Sequence, residues 1–205
     1  YGIKVQDTMN IAATAAAAGM KNDQLQKGTE ESLRLATIGQ IDYQQALTTT
    51  ISLQNAFGIS TDNLAESINF MNMVENQTVV SLQDIASSIP RVAPVIQGLG
   101  GDVKDLTVFL AAMQEGGVSA EQGANALKSG LASLINPTKV ARDMFKGFGI
   151  DLEGIVNRNA GNVTNTILEL QGALDKLDPL KKQKALEQYK APKPAPKPAP
   201  KQTVS

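Results

Sequence analysis

The chain has 205 residues, of which 42% are apolar and 4% aromatic, with no Cys, no His and no Trp. That composition excludes a disulfide framework, a thiolate nucleophile, a Cys-based zinc site, an imidazole base, a serine-protease-type triad and a histidine metal ligand. Net charge is −1, yet residues 1–189 carry 15 basic against 20 acidic side chains and the last 16 residues carry four Lys and no acid, so the body is mildly acidic and lacks the basic footprint of a nucleic-acid binder.

This length allows one domain or two small ones. No stretch reaches the roughly 18 uninterrupted apolar residues of a membrane-spanning helix. The chain opens on Tyr1-Gly2 rather than Met and shows no secretory signal, so it reads as an excised or processed segment.

The first element is Ala-rich, Ile11-Ala12-Ala13-Thr14-Ala15-Ala16-Ala17-Ala18-Gly19-Met20. Ala has the highest helix propensity, and its smooth face suits close helix packing; a membrane-active segment is the competing reading. Lys21, Asn22 and Asp23 then interrupt the run. A helix is predicted over residues 30–38, before Gly39. Asp42 caps the next, with Tyr43, Leu47 and Ile51 at helical spacing, ending at Phe57-Gly58. Ser60 starts another, with Leu64, Ile68, Met71 and Val74 on one face, flanked by Phe70 and Met73.

A recurrent signal punctuates the chain at Gly58-Ile59-Ser60, Gly100-Gly101-Asp102, Gly117-Val118-Ser119 and Gly149-Ile150-Asp151. Gly accepts the left-handed conformation that closes a helix, and Ser or Asp then accepts a hydrogen bond from an orphan amide of the next. Ser119 and Gln122 have the spacing of a capping box; Ile59 with Leu64, and Ile150 with Ile155, have that of a hydrophobic staple.

Ser81 caps a further helix, stapled by Val80 and Ile85 and interrupted by Pro90 and Pro94. An interior Pro removes a hydrogen bond and clashes one turn back, costing about 3 kcal/mol. The expectation is a kink or split near residues 88–91, as a fixed bend or as a hinge. Asp102 starts a helix with Val103, Leu106, Leu110 and Met113 in line, and Ser119 one with Leu127, Leu131 and Leu134 in line, among small residues Gly123, Ala124, Ala126 and Gly130 that permit close approach. Asn136-Pro137 fits an N-cap followed by Pro at the first helical position, with Val140, Met144 and Phe148 lining a short helix. Val163, Ile167, Leu170, Leu174 and Leu177 alternate spacings of four and three, a heptad seam that serves a bundle helix or an oligomerisation stub.

The tail from Ala191 to Lys201 holds five of the nine prolines. It reads as a basic, polyproline-II-like strut: a spacer, an added linker or a docking peptide. The fold class is therefore all-α: a compact bundle of roughly seven to nine short helices over residues 1–188, followed by a disordered Pro/Lys-rich segment over 189–205.

Paired carboxylates occur at Glu30-Glu31, Asp102/Asp105 and Asp151/Glu153. All three are placed at helix starts, where acids suit the dipole and the orphan amides. No calcium-loop or phosphate-loop pattern is present, and Gly98-Leu99-Gly100-Gly101 lacks the flanking strand and Lys of a nucleotide site. No catalytic, cofactor-binding or metal-ligating residue is assigned.

The ordered series Arg91-Val92-Ala93-Pro94-Val95-Ile96-Gln97-Gly98-Leu99-Gly100, Phe109-Leu110-Ala111-Ala112-Met113, Gly117-Val118-Ser119-Ala120-Glu121-Gln122-Gly123-Ala124-Asn125-Ala126-Leu127, Leu134-Ile135-Asn136-Pro137-Thr138 and Phe148-Gly149-Ile150-Asp151 resembles the core region of tail tape measure proteins from long-tailed bacteriophages and prophages. The resemblance covers residues 29–188. It implies a fragment of a long, mostly helical, non-enzymatic protein packed in the lumen of the tail tube, made in the host cytoplasm and carried in the virion. Its length sets tail length, and on infection it leaves the tube and helps DNA reach the cytoplasm. The implied partners are further copies of itself as a homo-oligomer, tail tube, tail tip and tail chaperone proteins, and the host membrane during ejection, without sequence-specific nucleic-acid binding. Two other classes stay open: a helical binding or adaptor module whose Pro/Lys arm docks a partner, and a cell-wall hydrolase using a carboxylate pair. A narrow tube demands an extended chain, whereas the capping pattern specifies a compact one; opening at Gly58, Gly117 and Gly149 would reconcile them.

Overall fold

A computed structural model of the chain describes Met9, Asn10, Ala13, Thr14, Ala16 and residues 22–190. Most of the Ala-rich stretch and the whole of 191–205 lie outside the described residues, and so do the expectations that fall on them. Among the described residues there is no strand. Ten α-helices follow in order: α1 (Asn22–Ile38), α2 (Tyr43–Phe57), α3 (Leu64–Gln77), α4 (Leu82–Gly98), α5 (Val103–Glu115), α6 (Ala120–Ile135), α7 (Lys139–Gly147), α8 (Leu152–Arg158), α9 (Val163–Asp175) and α10 (Pro179–Lys190), with a 3-10 turn at Thr61–Asn63. The all-α class holds, with more helices than expected. One extra is α10, started where Asp178 Oδ1 accepts the amides of Leu180 and Lys181.

The corners follow the sequence closely. Gly58 (φ 66°) and Gly100 (φ 76°) take the left-handed conformation, as do Gly117 and Gly149. Asp42, Ser81, Asp102, Ser119, Asp151 and Asn162 each accept a backbone amide of the helix they begin. The full reciprocal capping box forms at Asp102/Asp105; Ser119 forms only its own half, to the Gln122 amide.

Four local expectations change. First, α1 begins at Asn22, well before residue 30, because Asn22 and Asp23, read as a break, are residue types that suit a helix's first turn. Second, the 3-10 turn separates Ser60 from α3, and the Ser60 side chain makes no cap bond. Third, Asn136 is the C-cap of α6 and Thr138 is the N-cap of α7, its hydroxyl accepting the Ala141 amide at 3.1 Å. Pro137 between them pushes Asn136 out of the helical region (φ −138°, ψ 73°) and so ends α6. Fourth, α7 buries Ala141 and Phe145, while Val140 is 61% exposed.

The split expected as one outcome at Pro90 and Pro94 does not occur: α4 continues through both prolines. Its inward face is Leu82, Ile85, Ala86, Ser88, Ile89, Val92, Ala93 and Ile96, all buried, while Pro90 and Pro94 sit on the exposed side. Pro90 has no amide to give to the carbonyl of Ala86, four residues back. That carbonyl accepts instead from the buried Thr49 hydroxyl of α2, at 3.1 Å. The carbonyl that Pro94 leaves is that of Pro90, on the solvent side, where water can take its place.

Helix α4 is the centre of the bundle, packed against α2, α3, α5 and α6. One continuous core joins Leu35, Leu53, Leu64, Ile68, Met71, Leu106, Leu110 and Leu131 to the α4 face. Fully burying a Leu or Ile side chain stabilises by about 1.5–3 kcal/mol, so this shared core, which also takes in Phe145, Leu152, Ile155 and Val163, holds α1–α9 together. A satellite cluster forms on Leu47, with Leu25, Leu33, Tyr43 and Ile51 around it, which fastens α1 to α2.

Candidate functional site

Most of the charged groups serve as caps and straps between helices. Asp102 and Asp105 form the capping box of α5. Asp151 caps α8, and Glu153 pairs with Arg142 of α7 at 2.9 Å. Glu30 and Glu31 lie inside α1 rather than at its start, because the helix begins at Asn22; Glu31 pairs with Arg34 at 3.1 Å. Glu75 of α3 reaches forward and accepts the first amide of α4, Leu82 N–H, at 2.7 Å. Among the described residues no cluster of three or more His, Cys, Asp or Glu has the arrangement to hold a metal ion.

The electrostatic perturbations are those of exposed ion pairs. The Glu169 carboxyl is held below the usual carboxylate range, chiefly by the hydrogen bond from Arg158 and then by that from Asn159. Arg158 is correspondingly raised, first by its bond to Glu169. Lys104 is raised by its hydrogen bond to Glu66, at 3.0 Å, and its ammonium lies 5.7 Å from the centre of the Phe70 ring. Lys104 and Arg158 are exposed and Glu169 is partly so, so solvent screens them. A cleft of about 440 Å³ between α7 and α8 is lined by Arg142, Lys146, Asp151 and Glu153, the Arg142–Glu153 ion pair among them.

Two features carry more information. The first is a glycine seam. A side chain on Gly100 would collide with the backbone of Gly161, so the α4–α5 corner and the α8–α9 turn meet main chain to main chain. Beside it Gly101 leaves room for Val163, and Thr164 donates to Asp105 Oδ1 at 2.7 Å. The second is an apolar groove of about 210 Å³ between α5, α6, α7 and α9. Leu127, Leu131 and Leu134 of α6 face Ile167, Leu170 and Leu174 of α9 across it. The leucine row and three residues of the heptad seam, separate signals in the sequence, thus line one groove within the chain. The sequence carried no signal for the glycine seam beyond the Gly-rich run itself.

The arrangement is a set of helix-to-helix fastenings. A family model described as phage-related minor tail protein matches residues 1–188. The chain belongs to that family. As a phage minor tail protein it is a component of the virion, and the family points to a structural role in the tail. No curated protein and no solved structure matches the chain. No described helix of this minor tail protein is long and apolar enough to cross a membrane.

Proposed function

We propose that this chain is a non-enzymatic, structural segment of a tail tape measure protein. It acts in tail assembly and length determination, lies in the lumen of the tail tube, and leaves the tube with the genome at infection. The observation that carries the reading is the family match over residues 1–188. The resemblance of the ordered motif series from Arg91 to Asp151 to tape measure proteins supports the finer reading. The use of so many of its carboxylates as caps and ion pairs supports a structural role.

On this reading the partners are further copies of the chain, tail tube, tail tip and tail chaperone proteins, and the host membrane during ejection. The mildly acidic body suits contacts with protein rather than with DNA.

The test is an in-frame deletion of the codons for residues 22–188 in a phage that carries the gene, with tail length measured by electron microscopy. As continuous helix those residues span about 250 Å, so tails should shorten by up to that amount, and duplication of the segment should lengthen them. Tails of unchanged length and normal yield would remove the segment from length determination.

A further inference from the structure

The glycine seam and the apolar groove lie on one boundary, which separates α1–α6 from α7–α10. On each side the fastenings close locally. Lys27 pairs with Asp62 and Lys104 with Glu66 in the first half. Arg142 pairs with Glu153, Arg158 with Glu169 and Lys182 with Asp175, which straps α7 to α8, α8 to α9, and α9 to α10. Helix α10 packs back on α7, so the four C-terminal helices hold one another.

Across the boundary Phe145, Ile150, Leu152 and Ile155 join the shared core, but the packing loosens along α9. Burial along α9 is complete at Val163 and Thr166 and falls away after them: Ile167, Leu170 and Leu174 are only part-buried, and Leu168 is 58% exposed. The groove they line leaves about 210 Å³ unfilled, and a gap forfeits dispersion contacts on both walls. The tight end is the corner, where Gly100 meets Gly161, Val163 fills the space beside Gly101, and Thr164 binds Asp105. The link between the halves is short, Asn136-Pro137-Thr138, with no helix continuing through it.

We propose that residues 139–190 form a unit that opens from the α1–α6 body about the Asn136-Pro137-Thr138 link, and that the Gly100–Gly161 contact with the Asp105–Thr164 hydrogen bond is the latch that holds it shut. Opening separates the Leu127/Leu131/Leu134 row from the Ile167/Leu170/Leu174 row and draws Phe145, Leu152 and Ile155 out of the shared core, while the internal straps of either half stay intact. It is a two-state element of the kind that opens below the global unfolding free energy. The inference goes beyond the proposed function and does not depend on it.

Native-state hydrogen exchange on the full chain, read by mass spectrometry, tests it. The amides of α7, α8 and α9 should exchange together, at least about tenfold faster than those of α2 and α4. Thr164→Val should speed the α7–α9 group by about fivefold, the effect of one net hydrogen bond, and leave α2 and α4 unchanged. A Cβ on Gly101 would lie 2.5 Å from Val163 Cγ1, which puts the two Cβ atoms within about 4 Å, inside disulfide range. The pair Gly101→Cys and Val163→Cys, oxidised, should slow the C-terminal amides to the α4 rate and release them on reduction. Exchange of all helices in one global step overturns the proposal, as does a Thr164→Val effect that is nil or equal in α4 and α9. If the cysteine pair does not fold, the wild-type and Thr164→Val measurements decide alone.

Discussion

The Thr49 hydroxyl of α2 takes the place of the amide that Pro90 lacks, donating to the Ala86 carbonyl of α4 at 3.1 Å. Both Thr49 and Ala86 are fully buried. A buried carbonyl without a donor costs about 1–3 kcal/mol, and here the missing donor comes from a neighbouring helix rather than from the helix itself. The interior Pro therefore ties α4 to α2.

Thr49→Val should destabilise the protein by about 1–3 kcal/mol in urea unfolding, and Thr49→Ser by much less. In a Pro90→Ala background the Ala86 carbonyl regains its own amide, so the Thr49→Val cost should shrink by 1 kcal/mol or more, on the order of other coupled neighbours. An unchanged cost in that background would show that Thr49 does not substitute for the lost bond.

Glycines of like conformation should respond differently to Ala. At Gly58 a Cβ meets open space, so Gly58→Ala should cost only the left-handed strain, about 1–2 kcal/mol. At Gly100 the same change also drives a methyl into the Gly161 backbone. Its loss of melting temperature should exceed that of Gly58→Ala clearly. Equal losses would mean that the two corners are not in close contact.

Gln40 carries the left-handed turn between α1 and α2 (φ 50°), while Gly39 beside it leaves room for Leu82. Gln40→Gly should stabilise by about 0.5–1 kcal/mol in thermal unfolding. Gly39→Ala should destabilise, because its Cβ would press on Leu82 at 3.2 Å.

The inward face of α7 can be checked by size. Phe145→Ala should cost about 3–5 kcal/mol, whereas Val140→Ala, at a 61% exposed position, should fall within about 0.5 kcal/mol of zero. Chemical denaturation of the two variants side by side reads the difference.

Glu169 should protonate only at a lower pH than a free glutamate. Its folded-state pKa is depressed by Arg158 and Asn159, so its small contribution is present above the ordinary carboxylate pKa and is lost as pH falls through the depressed one. A carbon-13 NMR titration of the Glu169 carboxyl should show a midpoint below that of a free glutamate, moving up in Arg158→Ala. Lys104, whose folded pKa is raised by Glu66, behaves oppositely: its contribution is intact below the ordinary lysine value and is lost as pH rises through the raised one.

What could be read from the sequence divides by distance along the chain. The left-handed turn at Gly58, the N-cap at Asp102 and the stripe Leu64/Ile68/Met71/Val74 are set by residues a few positions apart, and they stand as expected. The Thr49–Ala86, Asp105–Thr164 and Gly100–Gly161 contacts join distant segments, and nothing local to either member announces them. The sequence admits a split at residues 88–91 as well as a kink because propensity counts the bond that Pro90 removes and cannot count the one Thr49 adds. In α7, Ala141/Phe145 and Val140/Met144 have the same spacing on adjacent stripes, so periodicity alone could not choose between them. The fastening groups of the candidate site, Thr164 and Glu75 among them, are polar residues of ordinary kind, recognisable only once their partners are in place.

Because the N-caps at Asp42, Ser81, Asp102, Ser119, Thr138, Asp151 and Asn162 each draw on amides of their own helix, pulling the chain straight would separate helices without uncapping them. A body of this size is about 40 Å across when folded and about 250 Å long as helices end to end. If tertiary stability is on the order of 10 kcal/mol, the mean load over that travel is only about 3 piconewtons. Mechanically, the fold behaves as a compliant spring made of stiff links: it stores length at low force and gives it back without remaking its hydrogen bonds one by one.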